Sequence, residues 1–312
     1  MNAEISDPRE SLKGALFAAL AFSLWGGLPV YWKLLKTVSP YEILAHRIVW
    51  SFLFSLGLLI AVKRKKVINE IIHSPVKMRL ISASAFFVSL NWLVYIWAVN
   101  HDRIVEASLG YYINPLISFL LGVIVLGEKV NKAKGCAIVL AFTGVGVMAL
   151  GQGRPPWISL TLAVSFALYG LMKKKAKAEA LPALALETAI VTPLAVAYMV
   201  WAATNGAALG RASAGIHLLL FFSGCVTAFP LFLFALAANR VPLSTIAFLQ
   251  YLTPTLNLVL ALFLFGEPFT HLHQMSFSLI WAGVLLFSFS QWREYYRGNR
   301  KKSIQFKTEE GS

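Results

Sequence analysis

Apolar residues along this chain gather into ten long runs, each uncharged or nearly so and separated from the next by a short polar break. The runs cover approximately 12–33, 40–62, 79–100, 104–127, 133–151, 156–173, 182–203, 213–237, 242–265 and 272–292. Each is close to the roughly 20 residues that carry a helix across the hydrocarbon core of a bilayer. Backbone groups in lipid must be paired within their own segment, so the runs are expected to be helices rather than open strands. The second run is the weakest, because Glu42, His46 and Arg47 sit in its first third. The polar ends, 1–11 and 293–312, are expected to be disordered cytoplasmic tails, the second of them basic.

Composition strengthens the membrane reading. Apolar residues make up 58% of the 312 positions and charged residues 13%, about half the charged share of a soluble domain. The polar breaks leave no room for a sizeable aqueous domain. The net charge of +14 would suggest nucleic acid in a soluble protein, but here it sits in clusters between apolar runs, such as Lys63–Lys66 and Lys173–Lys175. With the N-terminus in the cytoplasm, 22 Lys and Arg fall on the inner side and 5 on the outer, which places both termini inside. The first run, uncharged from Gly14 to Trp32, is longer than a typical signal-peptide core. The expected partners are therefore lipid and a small-molecule substrate, with no nucleic acid and no cofactor, and a monomer is the working expectation.

The chain also repeats itself. Tyr112-Ile-Asn-Pro115 followed by Leu126-Gly-Glu128 returns as Tyr251-Leu-Thr-Pro254 followed by Phe265-Gly-Glu267, at an offset of 139. Gly144-Val145 returns as Gly283-Val284 at the same offset, and Leu24-Trp25-Gly26 resembles Leu168-Tyr169-Gly170 at an offset of 144. The halves, 12–151 and 156–292, each hold five spans. An odd number turns the second half upside down relative to the first, the arrangement of many secondary transporters with a binding site near the midplane.

The stretches Asn91-Trp-Leu-Val-Tyr-Ile-Trp97-Ala-Val-Asn-His101 and Val105-Glu-Ala-Ser-Leu-Gly-Tyr-Tyr-Ile-Asn-Pro115 closely resemble RarD-type permeases. Glu42-Ile-Leu-Ala-His46-Arg47 and Trp25-Gly-Gly-Leu-Pro29-Val-Tyr-Trp32-Lys33 match the same group. Such proteins belong to the EamA branch of the drug/metabolite transporter superfamily. The resemblance implies ten helices in two EamA repeats, a bacterial inner membrane, and export of small metabolites or drugs. The group carries the name "chloramphenicol-sensitive protein", which does not settle a physiological substrate.

Ionisable groups inside spans are costly and face a cavity or a partner. Glu42 and His46, four residues apart, share a helical face that Trp50 continues, and all three are substrate-path candidates, while Arg47 points about 100° away. Arg47 is a candidate to meet an anionic substrate; the competing reading is an ion-paired structural cluster. Glu187 falls opposite Arg47 when the halves are matched near an offset of 140, so the two are candidate complementary gates. A Glu favoured by the helix N-terminus is the alternative. Asn91, Tyr95, Tyr112 and Gln250 are candidate cavity residues; interhelical hydrogen bonding would explain them equally. Pro115 and Pro254 are expected to interrupt the fourth and ninth helices as a matched hinge, and Gly26, Gly27 and Pro29 to loosen the first. Gly127-Glu128 and Gly266-Glu267 read as helix stops with a capping acid, and Ser118-xxx-Gly122 and Asn257-xxx-Ala261 as close-packing seams.

No nucleotide-binding loop, nucleophile elbow or metal-ligand array occurs, so an enzyme is not expected. A transporter working by alternating access is the leading reading, and a flippase for a lipid or lipid-linked substrate is the alternative. Proton coupling through Glu42, His46 or Glu187 stands against facilitated diffusion or exchange.

Overall fold

A computed structural model describes residues 8–309 except 63–64, 128–129, 178, 206–212, 239 and 242, and side chains except at 8–9, 65–66, 126, 238, 243–244, 247, 291 and 294–309. Glu128 therefore lies outside the described residues. The described chain is helical: α1 (Pro8–Lys33), α2 (Pro40–Ala61), a short α3 (Lys65–Ile72), α4 (Pro75–Asn100), α5 (Ile104–Leu126) and α6 (Lys132–Gln152) form the first half. The second half comprises α7 (Trp157–Ala176), α8 (Ala180–Thr204), α9 (Ala214–Ala238), α10 (Leu243–Leu249), α11 (Leu252–Val259) with a π-helical turn at Leu260–Leu264, and α12 (His271–Glu309). Among the described residues, eight helices have the length and apolar character of membrane spans. The other two crossings are α7, which ends in Lys173, Lys174 and Lys175, and the broken segment from α10 to the π turn.

Local chemistry sets the ends. The Ser74 hydroxyl accepts the Lys77 N–H ahead of Pro75, so the third span starts at Pro75 rather than at 79. Asn131 Oδ1 accepts the Lys134 N–H at 2.8 Å to start α6. Gly127 (φ 69°) and Gly266 (φ 66°) take the left-handed conformation that stops a helix. The ninth span is interrupted close to Pro254, as expected: the α-helical pattern gives way at Gln250–Tyr251 to tighter bonds, Tyr251 N–H to the Phe248 carbonyl and Thr253 N–H to the Gln250 carbonyl, and Pro254 sits in the first turn of α11, where the missing N–H costs nothing. Two expectations need correction. Pro115, by contrast, lies inside the uninterrupted α5, so the matched prolines do not give matched breaks. The region 293–309 continues α12 instead of being a disordered tail; its Arg, Lys, Glu and Gln residues are good helix formers.

The helix contacts obey the inverted repeat. α1 packs on α9 and α11, and its counterpart α7 packs on α4 and α5; α2 packs on α9 as α8 packs on α4. Three pairs face their own counterpart: α2 with α8, α5 with α11, and α6 with α12. At the α6–α12 crossing the symmetry is atomic. A Cβ on Gly144 would lie 2.9 Å from the Ser276 carbonyl oxygen, and one on Gly283 would lie 2.8 Å from that of Ala137. Both pairs are related by the offset of 139. Most strong contacts thus cross between halves, and the interface between them encloses the buried centre, with Trp32, Ile96, Leu109 and Phe277 among its fully buried side chains. Leu150, Phe263 and Leu194 are 87%, 83% and 71% exposed, as residues facing lipid tails should be.

Candidate functional site

A cavity of about 190 Å³ lies between the halves, walled by residues of α1, α2, α4, α5, α7, α8, α9 and α11. Phe22, Trp25, Trp92 and Phe166 give it an aromatic lining, and Arg47, Asn91, Tyr111 and Gln250 give it polar points. Asn91 is tightly held: its Nδ2 donates to the Leu162 carbonyl and to Ser165 Oγ, both at 3.0 Å, and its Oδ1 accepts from the Tyr111 hydroxyl at 3.0 Å. Tyr95 donates to Asn257 Oδ1 at 3.2 Å, and Asn114 Nδ2 donates to the Ala163 carbonyl at 3.0 Å. These polar walls therefore serve as interhelical ties as well as cavity lining, and the two readings of Asn91 and Tyr95 are not exclusive.

Arg47 is the single cation among the described residues lining this cavity. It is 3% exposed. Its Nε donates to Thr227 Oγ1 at 2.9 Å, and its guanidinium carbon lies 4.0 Å from the centre of the Trp92 ring and 5.0 Å from that of Trp32. Its Nη1 has no hydrogen-bond partner.

Glu187 is 1% exposed and sits one hydrogen bond behind the wall. Its Oε1 accepts from Ser84 Oγ at 2.7 Å, and its Oε2 from the Tyr169 hydroxyl at 3.4 Å. Lys173 donates to Tyr169 at 2.7 Å and lies 3.7 Å from Glu187 Oε1. The Arg47–Thr227 bond joins α2 to α9, and the Glu187–Ser84 bond joins α8 to α4, so the two charges occupy counterpart seams. They differ in that Glu187 has a cation beside it, whereas Arg47 has no carboxylate partner among the described residues.

The other candidates scatter. Gln250, Pro115 and Pro254 line the cavity. Glu42 and His46 are buried in α2 but do not line it, and His46 Nδ1 has no partner. Trp50 turns away to pack on Phe221, ring centres 4.5 Å apart. Tyr112 also points elsewhere, sharing a 2.7 Å hydrogen bond with Thr255 and stacking on Tyr251. Gly26 is pressed against Leu256, and Pro29 is buried within a continuous α1. Sequence reasoning missed Thr227, Trp92, Ser165 and the Tyr169–Lys173 pair. Trp92 adjoins Asn91 in a stretch already singled out, and Tyr169 is the repeat partner of Trp25, so both carried a usable signal.

Two further spaces flank the centre. A vestibule of about 310 Å³ shares Asn114, Pro115 and Gln250 with the central cavity and runs past Ser118, Gly122 and Gly170 to Lys174, at the end the charge count assigns to the cytoplasm. At the opposite end an outer bowl of about 860 Å³, lined by Lys33, Lys36 and Phe265 among others, shares no lining residue with the central cavity. The wall between them is tied by an ion pair from Lys33 to Asp102 and by the Tyr31 hydroxyl donating to the Leu219 carbonyl. Glu267 adds a clamp: its two oxygens accept the Ile104 and Val105 N–H groups, each at 2.8 Å. The acid after Gly266 thus caps a helix, as expected of it, but the helix is α5 of the other half.

The profile of the EamA-like transporter family matches residues 12–150, the first half. The chain is 44% identical over 286 residues to the uncharacterized transporter YojE of Bacillus subtilis, covering 90% of this chain and 95% of that one. It is also 44% identical over 294 residues to protein RarD of Streptomyces exfoliatus, covering 94% and 93%. A solved crystal structure, 15% identical, superposes with a TM-score of 0.56 over 88% of this chain and 96% of its own, a likeness of fold. The interface between halves is thus the centre of a multi-pass membrane transporter, and the chain belongs to the EamA-like transporter family as one of its RarD-type permeases.

Proposed function

We propose that this permease exports small organic solutes across the bacterial inner membrane by alternating access, binding them in the central cavity, and that the described conformation opens toward the cytoplasm. One observation carries the reading: matched positions in the two halves are unequally packed. Asn257 is 0% exposed, while its counterpart Ser118 is exposed and lines the vestibule. A pseudo-symmetric bundle closed at one end and open at the other converts to its mirror state by exchanging the two packings, with little new structure required. The break at Gln250–Tyr251, beside the cavity, supplies a place for that exchange to bend.

The test is solute flux in proteoliposomes, with and without an imposed pH gradient, across amino acids, other metabolites and amphenicol drugs. Saturable flux of a solute, lost when Asn114→Trp fills the cavity, is the expected result. Verified folded protein that moves no solute but scrambles labelled lipid would replace this reading with a flippase. Accumulation that survives collapse of the pH gradient would remove proton coupling through Glu42, His46 or Glu187.

A further inference from the structure

We infer that the central cavity is a carboxylate site, and that its substrates are small organic monoanions held with the carboxylate on Arg47 and the apolar body among Trp25, Trp92 and Phe166. The inference rests on the transport reading above and names its substrate class.

The argument starts from what Arg47 lacks. A guanidinium carries five N–H donors and no acceptor, and a buried charge is held in place by a counter-charge or a full set of hydrogen bonds. Arg47 is 3% exposed, spends Nε on Thr227, and leaves Nη1 without a partner. Trp92 and Trp32 lie over the guanidinium, which covers its faces. Ring faces do not occupy the N–H groups at its edge, and a planar carboxylate accepts from that edge with two parallel hydrogen bonds. The contrast with Glu187 sharpens the point. That charge, at the counterpart position, is satisfied by Ser84, Tyr169 and Lys173. The protein has the means to neutralise a buried charge and has left this one, on the cavity wall, open.

The path agrees with the site. The described residues lining the outer bowl, the central cavity and the vestibule include Lys33, Lys36, Arg47 and Lys174, and no Asp or Glu. Cavities lined by one sign of charge concentrate ligands of the other. One guanidinium balances one negative charge. A phosphate monoester, at about −1.5 to −2 near neutral pH, would enter this small space half-neutralised, so a monocarboxylate is the fitting class.

The experiment is calorimetric binding to the full-length protein in lipid nanodiscs with three probes of common shape: phenylacetate, phenylacetamide and phenyl phosphate. Wild type is expected to bind phenylacetate at least about tenfold more tightly than the amide, the size of one charge-assisted hydrogen bond, and more tightly than phenyl phosphate. Arg47→Gln should shrink the acid-to-amide ratio to below about twofold, and Arg47→Lys should retain part of it. The wild-type comparison stands even if a variant does not fold: equal binding of acid and amide overturns the inference, as does an unchanged ratio in folded Arg47→Gln. Flux of a neutral solute that Asn114→Trp abolishes and Arg47→Gln leaves intact would sink the carboxylate assignment while keeping the transport reading. Absence of binding of phenylacetate to folded protein would overturn the carboxylate assignment, and flux of any other solute in the same protein would keep the transport reading.

Discussion

Gly26 of α1 and Gly170 of α7 are counterparts in the two halves, yet a Cβ on Gly26 would lie 2.7 Å from the Cβ of Leu256, while one on Gly170 would meet nothing within 4 Å. α1 and α11 are therefore in backbone-close contact in the outer half of the bundle, and the matching seam in the inner half stands apart along the vestibule. Alternating access requires the two seams to exchange these states.

That requirement gives the first prediction. In a background with Cys136 and Cys225 replaced by Ser, the pair Gly26→Cys/Leu256→Cys should form a disulfide readily, because its Cβ separation needs only slight relaxation to reach the roughly 3.5–4.5 Å of a cystine. The pair Ser118→Cys/Gly170→Cys, facing across the vestibule, should cross-link slowly at rest and faster when transport cycles. Locking the outer pair should reduce flux to background, with recovery on reduction. An inner pair that cross-links no faster during cycling than at rest would show that the inequality of the seams is fixed rather than exchanged.

A second prediction concerns the crossing of α6 and α12 between the halves. Gly144 and Gly283 let α6 and α12 meet backbone to backbone, and Ser276 Oγ donates to the Gly144 carbonyl at 2.8 Å. Gly283→Leu would force its side chain into the Ala137 carbonyl and should cost about 1–3 kcal/mol by overpacking. Gly146→Leu, on the same pair of helices but with nothing within 4 Å of its Cβ point, should stay within about 0.5 kcal/mol. Thermal unfolding in detergent separates them, and equal midpoints would mean the crossing is loose enough to absorb a leucine.

The duplicated segments explain why so much of this architecture was legible. The run lengths give the spans, the charge asymmetry gives the orientation, and the Tyr–Pro–Gly–Glu spacing gives the halves and their inversion. What symmetry hides is the difference between copies. Nothing in the repeat says that Pro115 stays inside a helix while Pro254 follows a break, or that Ser118 faces space while Asn257 is packed. Those are differences in packing between the copies, and the pattern that the copies share does not carry them. The site was half legible for a related reason. Arg47 and Glu187 stand out because charge in lipid is costly, whereas Thr227, Ser84 and Ser165 are commonplace in such helices until a partner is seen opposite them. Residue type and helical face point Trp50 and Tyr112 toward the cavity, yet neither lines it. A face read from one helix does not reveal which of several neighbours it meets.

Glu187 supplies the third prediction. Glu187→Gln keeps an acceptor for Ser84 but takes the counter-charge from Lys173, whose side chain is 14% exposed. The loss should be roughly 1–3 kcal/mol, short of the cost for a wholly buried pair because the ammonium can reach toward the inner surface. Adding Lys173→Met should return most of it, since replacing both partners of a buried pair is close to neutral. If Glu187 is a gate as well as a tie, the double variant will be stable and yet slow in flux. Full activity in a stable double variant would confine the pair to structure.

The last prediction follows from Glu267, which lies between the π turn and α12, outside the spans. Burial raises its carboxyl above the ordinary glutamate range, against the pull of the Val105 and Ile104 amides and of Lys33; Asp102 adds to the rise. As external pH falls, Glu267 should therefore take up a proton sooner than a free glutamate would. Its bonds to the α5 N-terminus then change from charge-assisted to neutral, which roughly halves their strength. The favourable meeting of a carboxylate with the positive end of α5 is lost with them. Acid on the outer side should thus loosen the clamp and raise the reactivity of a single cysteine at Leu256 toward an external, membrane-impermeant thiol reagent. Glu267→Gln should show the raised reactivity at neutral pH and no further response to acid. Reactivity that rises with acid in the wild type and in the Gln variant alike would assign the sensor to another group, and the clamp would then be a helix cap with no part in opening.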